Sequence, residues 1–370
     1  MTQTKGLEGI VAATSKISSI IDGQLTYGGY TIDDLAEHAT FEEIVFLLWN
    51  DRLPKQEELD QLAKALVDEA HVDDAVLETL KKAPKTANAM AAIRTAVSQL
   101  ALYDEASEDM SREANYAKAI KLQAQIATLV TAYARIKKGL EPVAPKAGLS
   151  YAANFLYMLN GEEPTEVAEK AFNQALVLHA DHELNASTFT ARVCVATLSD
   201  IYSGVTAAMG ALKGPLHGGA NEAVMKMLVE IGSVEKVEEY VHNKIENKEK
   251  IMGFGHRVYK DGDPRAKHLQ EMSRQLTAQI GEPQWYEMSI KIDEIMQAEK
   301  GLKPNVDFYS ASTYHALGLD TELFTPIFAV SRMSGWLAHI LEQYSDNRLI
   351  RPRADYIGET HRTYVSINER

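Results

Sequence analysis

Apolar residues recur at three- and four-residue intervals through most of this chain, and strict alternation is rare. That spacing lines apolar side chains along one face of a helix, which must be buried against other helices. "LPKQEELDQLAKALVDEA" carries Pro54 near its start and sets Leu59, Leu62, Ala65 and Leu66 along one side. Thr40-Phe-Glu-Glu43 has the capping-box pattern that opens a helix through "FEEIVFLLWN". The spacing predicts a long helix from about 111 to 138, stopped by Gly139. It predicts others near 164–184, 187–211, 219–231, 234–248, 264–280, 284–300 and 322–344. The best strand candidates are 17–27 and 363–367. No repeat, low-complexity segment or long linker interrupts the pattern. The expectation is an all-α fold in two domains, parting near the glycine cluster at 214–219.

Charge narrows the function. The 370 residues include 38 basic and 52 acidic side chains, a net of −14, which argues against nucleic acid or an anionic membrane as the main partner. The imbalance is uneven. Residues 1–110 hold nine Lys/Arg against twenty Asp/Glu, whereas 248–274 holds seven against four. An anion site would have to be local, and that window is a candidate. Cys194 is the single cysteine, so no intrachain disulfide forms, as expected of a cytoplasmic protein. The first residues carry no signal-peptide pattern. The apolar run Phe324 to Leu341 contains Arg332 and His339, so a buried helix is expected there rather than a membrane span.

Five stretches hold candidate chemistry. In "KGPLHGGANEA", glycines flank His217 just ahead of a predicted helix, whose free N–H groups would favour a neutral imidazole able to donate to an oxyanion. A turn with a structural histidine is the alternative. "GFGHRVYKDGDPR", Gly253 to Arg265, fails as a dinucleotide fingerprint because Val258 stands where a third glycine is needed. It reads either as a surface turn or as a backbone loop for an extended anion, with Lys260 and Arg265 as charge partners and His256 facing the chemistry. "LHADHELNAS" spaces His179 and His182 by three residues, which with Glu183 invites a metal reading, although histidines on an apolar stripe are more often core residues. "KPNVDFYSAS" sets Asp307 at a helix start, as a cap or as a base. "FAVSRMSGWLAHI" and "NRLIRPRAD" supply Arg332, Arg348, Arg351 and Arg353. An arginine within an apolar helix requires an anionic partner, from ligand or protein. Histidines, one aspartate and arginines without a nucleophilic Ser/Cys motif or P-loop suit proton abstraction beside a carbonyl in a polyanionic substrate.

With these stretches assembled, the chain resembles the citrate synthases of the short bacterial and archaeal type. The likeness runs from "GLEGIVAATSKISSIIDGQLTYGGYTIDDLA" through "MAAIRTAVSQL", "HADHELNASTFTARV" and "IMGFGHRVYKDGDPRAK" to "RLIRPRA". It implies condensation of acetyl-CoA with oxaloacetate to citryl-CoA, then hydrolysis to citrate and CoA. On the family's pattern Asp307 is the base, His217 donates to the thioester oxygen, and His256 polarises the oxaloacetate carbonyl. His182, Arg265 and Arg332 bind oxaloacetate, with Arg351 reaching across from a second subunit. The backbone of Ile251, Met252, Gly253, Phe254 and Gly255 receives the adenine of CoA, and Lys260 lies near its phosphates. Lys250 and Lys303 are further phosphate candidates from our own reading. Lys260 stands where animal-type relatives carry arginine, which bears on phosphate geometry. The resemblance implies a homodimer with composite active sites and no metal or redox cofactor. It also implies a large helical domain of 1–217 and 313–370 and a smaller helical domain of 218–312. Three rivals stand beside it: a 2-methylcitrate synthase using propionyl-CoA, a metal hydrolase built on His179, His182 and Glu183, and a non-catalytic helical binding protein.

Overall fold

A computed structural model describes residues 5–7, 9–256, 258–259 and 261–370. Among them are sixteen α-helices and one small antiparallel sheet of three strands in sequential order. The strands are Ser18–Ile21, Gln24–Tyr27 and Tyr30–Thr31. Asp22 and Gly23, both at positive φ, make the tight turn that sets Ile21 opposite Gln24 and Ser18 opposite Tyr27. The expected strand at 363–367 does not form. Those residues are largely exposed irregular chain followed by a short 3-10 turn, and no neighbouring strand pairs with them among the described residues.

The long helix spans Arg112–Lys137, with Ser111 accepting from the Ala114 amide at its start and Gly139 at φ 74 beyond its end. It packs against Phe324–Ser345, the other long buried helix. Trp336, Arg332 and Ile340 of that helix are almost entirely shielded from solvent. No helix among the described residues is long and apolar enough to cross a membrane. The Thr40 capping box forms as expected: the Glu43 amide donates to Thr40 Oγ1 at 3.3 Å and the Thr40 amide to Glu43 Oε2 at 2.7 Å.

Two predicted helices differ from what forms. The one at 187–211 is broken into Ala186–Val195 and Ile201–Leu212, because Leu198 takes φ 63 and Asp200 caps the second segment through the Ser203 amide. The one at 164–184 stops at His179, so His182 lies beyond it, ahead of Glu183 at φ 47. Both breaks coincide with local caps that compete with the helix ladder.

Helices Ala220–Ile231, Ala266–Gln279, Gln284–Lys300 and Val306–Ala316 pack on one another. Val237–Glu246 packs on Gln284–Lys300 of this group, which meets the other helices mainly along Phe324–Ser345 and Glu166–His179. One continuous apolar core runs through both groups. At this junction Gly335 lets the Phe324–Ser345 helix approach the chain at 180–181. A Cβ added there would sit 2.4 Å from Asp181 Oδ1 and 2.5 Å from the Ala180 carbonyl oxygen. Neither neighbour can give way cheaply, so Gly335→Ala is expected to cost on the order of 1–3 kcal/mol. A thermal melt checks this, and an unchanged melting temperature would show that the close approach carries no constraint.

Candidate active site

A cleft of about 710 Å³ opens at this junction. His182, His217, His256, Arg265, Asp307 and Arg332, drawn from 150 positions of sequence, all line it. So do Lys250, Ile251, Met252, Gly253, Phe254 and Gly255. Two candidates do not, and a third cannot be placed. Arg351 is exposed in the irregular segment after the last long helix. Lys303 donates from Nζ to the Asp261 carbonyl at 2.9 Å and is not on the cleft wall. Lys260 lies outside the described residues.

Each histidine has one nitrogen committed, which fixes the job of the other. The amides of Val258 and Tyr259 donate to His256 Nδ1 at 3.0 and 3.3 Å. The neutral ring then carries its proton on Nε2. The Ser187 amide donates to His217 Nε2 at 3.3 Å, and the Ser187 hydroxyl lies 2.8 Å from the same atom, leaving the proton on Nδ1. Trp336 Nε1 donates to that hydroxyl at 3.0 Å, so the imidazole is held from the buried helix behind it. His182 Nε2 pairs with the Tyr259 hydroxyl at 3.0 Å. Burial, with the nearby Arg332 charge, pushes the His217 pKa down to about 4. Burial and the Arg265 charge push those of His182 and His256 below the ordinary histidine range. All three are neutral donors at neutral pH.

The two cationic residues differ. Arg265 forms a bidentate pair with Asp263, Nε to Oδ1 at 2.9 Å and Nη2 to Oδ2 at 2.8 Å. Asp263 Oδ2 also accepts from the Val306 amide at 3.1 Å, tying the arginine to the start of the Val306–Ala316 helix. Arg332 has no such acid. Its Nε donates to the His179 carbonyl at 2.8 Å and its guanidinium lies 4.8 Å from the Phe328 ring centre. It has no ion-pair partner among the described residues, and burial lowers its pKa to about 10.

Asp307 is not a helix cap. Asn305 caps the helix, accepting from the Asp307 amide at 3.0 Å, and Asp307 is the second helical residue. Its Oδ1 is buried with no hydrogen-bond partner among the described residues. Burial raises its pKa to about 7, with Arg265 pulling the other way. Such a carboxyl group is tuned for accepting a proton near neutral pH.

The metal alternative fails on geometry. His179 is a core residue bonded through Nδ1 to the Ala175 carbonyl at 2.8 Å, and Glu183 accepts from the Ile20 amide at 2.8 Å. No cluster of three potential ligands exists among the described residues. Ser187, Tyr259, Asp263 and Asn305 carry the support of the site, and sequence reasoning passed over all four. All four lay within stretches already singled out, but none was given a role there.

The family model described as citrate synthase, C-terminal domain, matches residues 6–353. The chain belongs to the citrate synthase family. It is 65% identical over 371 residues to citrate synthase 2 of Bacillus subtilis, covering all of both chains. Its fold superposes with a TM-score of 0.94 on a citrate synthase of Thermoplasma acidophilum, solved in ternary complex with carboxymethyl coenzyme A and oxaloacetate. That pair shares 36% identity over 99% of each chain. It is also 44% identical over 361 residues to a 2-methylcitrate synthase of Mycobacterium tuberculosis, covering 97% of this chain and 91% of that one.

The perturbed groups act on stability with opposite signs. His217 binds its proton later in the folded than in the unfolded state. Its contribution is therefore lost as pH falls from about 6.5 toward 4. Asp307 holds its proton more tightly when folded, so its contribution grows as pH falls from about 7 toward 4. In an NMR titration the His217 ring should show a midpoint below 5, near the lowered value of about 4. A midpoint near the ordinary value of about 6.5 would contradict a buried imidazole held neutral beside Arg332.

Proposed function

We propose that this enzyme condenses acetyl-CoA with oxaloacetate and water to give citrate and CoA. The observation that carries the reading is the Asp307 carboxyl group, whose buried Oδ1 has no partner among the described residues, in the same cleft as two neutral histidines, each with one nitrogen already occupied. Asp307 takes a methyl proton from acetyl-CoA. The electron pair moves to the thioester oxygen, where His217 Nδ1–H donates to the developing charge. The enolate carbon then forms a bond to the oxaloacetate carbonyl carbon. His256 Nε2–H protonates the oxygen that becomes the tertiary alcohol. Water cleaves the thioester of citryl-CoA, releasing CoA.

Oxaloacetate brings two carboxylates to a site where Arg332 lacks an acid and Arg265 is held in a fixed orientation. In the proposal these arginines and His182 bind it, and Arg351 comes from a second copy of the chain. The exposure of Arg351, away from the chain's own cleft, fits such a composite site. The backbone at 251–255 receives the adenine of CoA, with Lys250 and Lys260 toward its phosphates. Lys303, already bonded to a carbonyl, is a weaker partner than Lys248 or Lys300, which line the cleft. Residues 218–312 move as the smaller domain against 1–217 and 313–370, and closure excludes water. The chemistry as drawn calls on side chains alone, with no metal or redox cofactor, in a cytoplasmic homodimer.

Release of thiol from acetyl-CoA in the presence of oxaloacetate tests the activity. Propionyl-CoA as the better substrate, by kcat/KM, would turn the reading to a 2-methylcitrate synthase; one methyl group is worth only about 1–3 kcal/mol of discrimination. Asp307→Ala should lower kcat by about 10²–10⁴-fold. Calorimetric binding of oxaloacetate should survive the substitution, and its loss in parallel would contradict the role of base.

A further inference from the structure

We propose that Asn305 is a positioning residue that keeps Asp307 strongly basic while fixing the Gly253–Gly255 loop against it. The proposal rests on the reading of Asp307 as the base. An acid in the first turn of a helix ordinarily collects free amides and the positive end of the dipole, and becomes a weaker base. Here those amides are already used. The Val306 amide donates to Asp263 at 3.1 Å, the Asp307 amide to Asn305 Oδ1 at 3.0 Å, and the Phe308 amide to the Asn305 carbonyl at 3.2 Å. Asp307 Oδ1 is left buried without a donor among the described residues.

The same residue holds the loop. The Asn305 amide donates to the Gly253 carbonyl at 2.9 Å and its Nδ2 to the Gly255 carbonyl at 3.0 Å. The loop rests directly on the first helical turn, since a Cβ on Gly253 would meet Phe308 at 2.8 Å. His256 follows immediately. One side chain therefore sets base strength through its acceptor and the spacing of His256 from the base through its donor.

The other charged groups around Asp307 are independent of Asn305. Arg265 and Arg332 lower its pKa and Asp263 raises it, while His217 and His256 share the cleft. Tyr314 lies on its own helix. On the packed helices, Asp293 accepts from the Tyr309 hydroxyl at 2.7 Å, Glu222 pairs with Lys226, Glu271 with Arg274, and Lys267 with Asp33.

The test compares Asn305→Gly, which removes both side-chain bonds while suiting a cap position, with Asn305→Ser, which restores a short acceptor but no donor for Gly255. Infrared difference spectra against Asp307→Asn read the Asp307 titration directly, and steady-state kinetics read turnover. For Asn305→Gly we expect the Asp307 midpoint to fall by about one unit and kcat by about tenfold. Asn305→Ser should recover the midpoint and bring kcat within about threefold of the parent, while KM for acetyl-CoA stays raised by about threefold or more. An unmoved Asp307 midpoint in Asn305→Gly overturns the proposal, as does an Asn305→Ser variant no better than Asn305→Gly. A parent enzyme that releases no thiol would instead sink the catalytic reading, and the infrared titration would still decide the role of Asn305.

Discussion

Arg332 is buried in the middle of a long apolar helix with no carboxylate bonded to it among the described residues. An isolated buried cation costs several kcal/mol even after relaxation. The chain meets that cost in part, with one carbonyl, one aromatic face and the more distant charge of Asp181, and leaves room for an anion bonded to the guanidinium itself. The surroundings follow from this unfinished neutralisation. Burial, reinforced by the positive potential of the arginines, holds the neighbouring histidines neutral, so they donate hydrogen bonds instead of adding charge. It also pulls the pKa of Asp307 downward against burial, leaving it near 7 instead of higher. An acidic chain thereby keeps one cationic cleft, and its outer surface has no need to attract the substrates.

Asp263 and Asn305 turn that cleft into a fixed geometry. Asp263 joins the Arg265 guanidinium to the first amide of the helix that bears Asp307. Asn305 joins the next amide to the loop that leads into His256. Arg265, Asp307 and the loop leading into His256 are thus linked through two short polar side chains on one helix start. Reacting groups placed by such a network need little rearrangement on binding, which is where much of the rate advantage of an enzyme arises.

Helical periodicity revealed most of the fold, because a repeat of three and four residues survives in any helix that buries one face. It located Arg112–Lys137 and Phe324–Ser345 to within about two residues. It ran across the break at 196–200, since the apolar pattern continues there and only the Ser199-Asp200 pair hints at a new cap. The reacting groups were legible because glycine-framed histidines and an arginine in an apolar run are unusual in themselves. Their supports were not. Ser187 lies 30 positions from His217 and Tyr259 lies 77 from His182, distances at which no spacing rule operates. Asn305 sat in plain view beside Asp307, but an aspartate two residues into a helix looks from sequence like its cap.

The central claim is that Asp307 removes a methyl proton while the arginines hold a dicarboxylate. It is tested most directly by supplying acetyl-CoA in deuterium oxide with a 2-hydroxy dicarboxylate that fills the clamp but offers no carbonyl to attack. Deuterium is expected to enter the acetyl methyl group without release of CoA, and none to enter with Asp307→Asn. Absence of exchange in the parent enzyme while the dicarboxylate is demonstrably bound, or equal exchange in the variant, would contradict it.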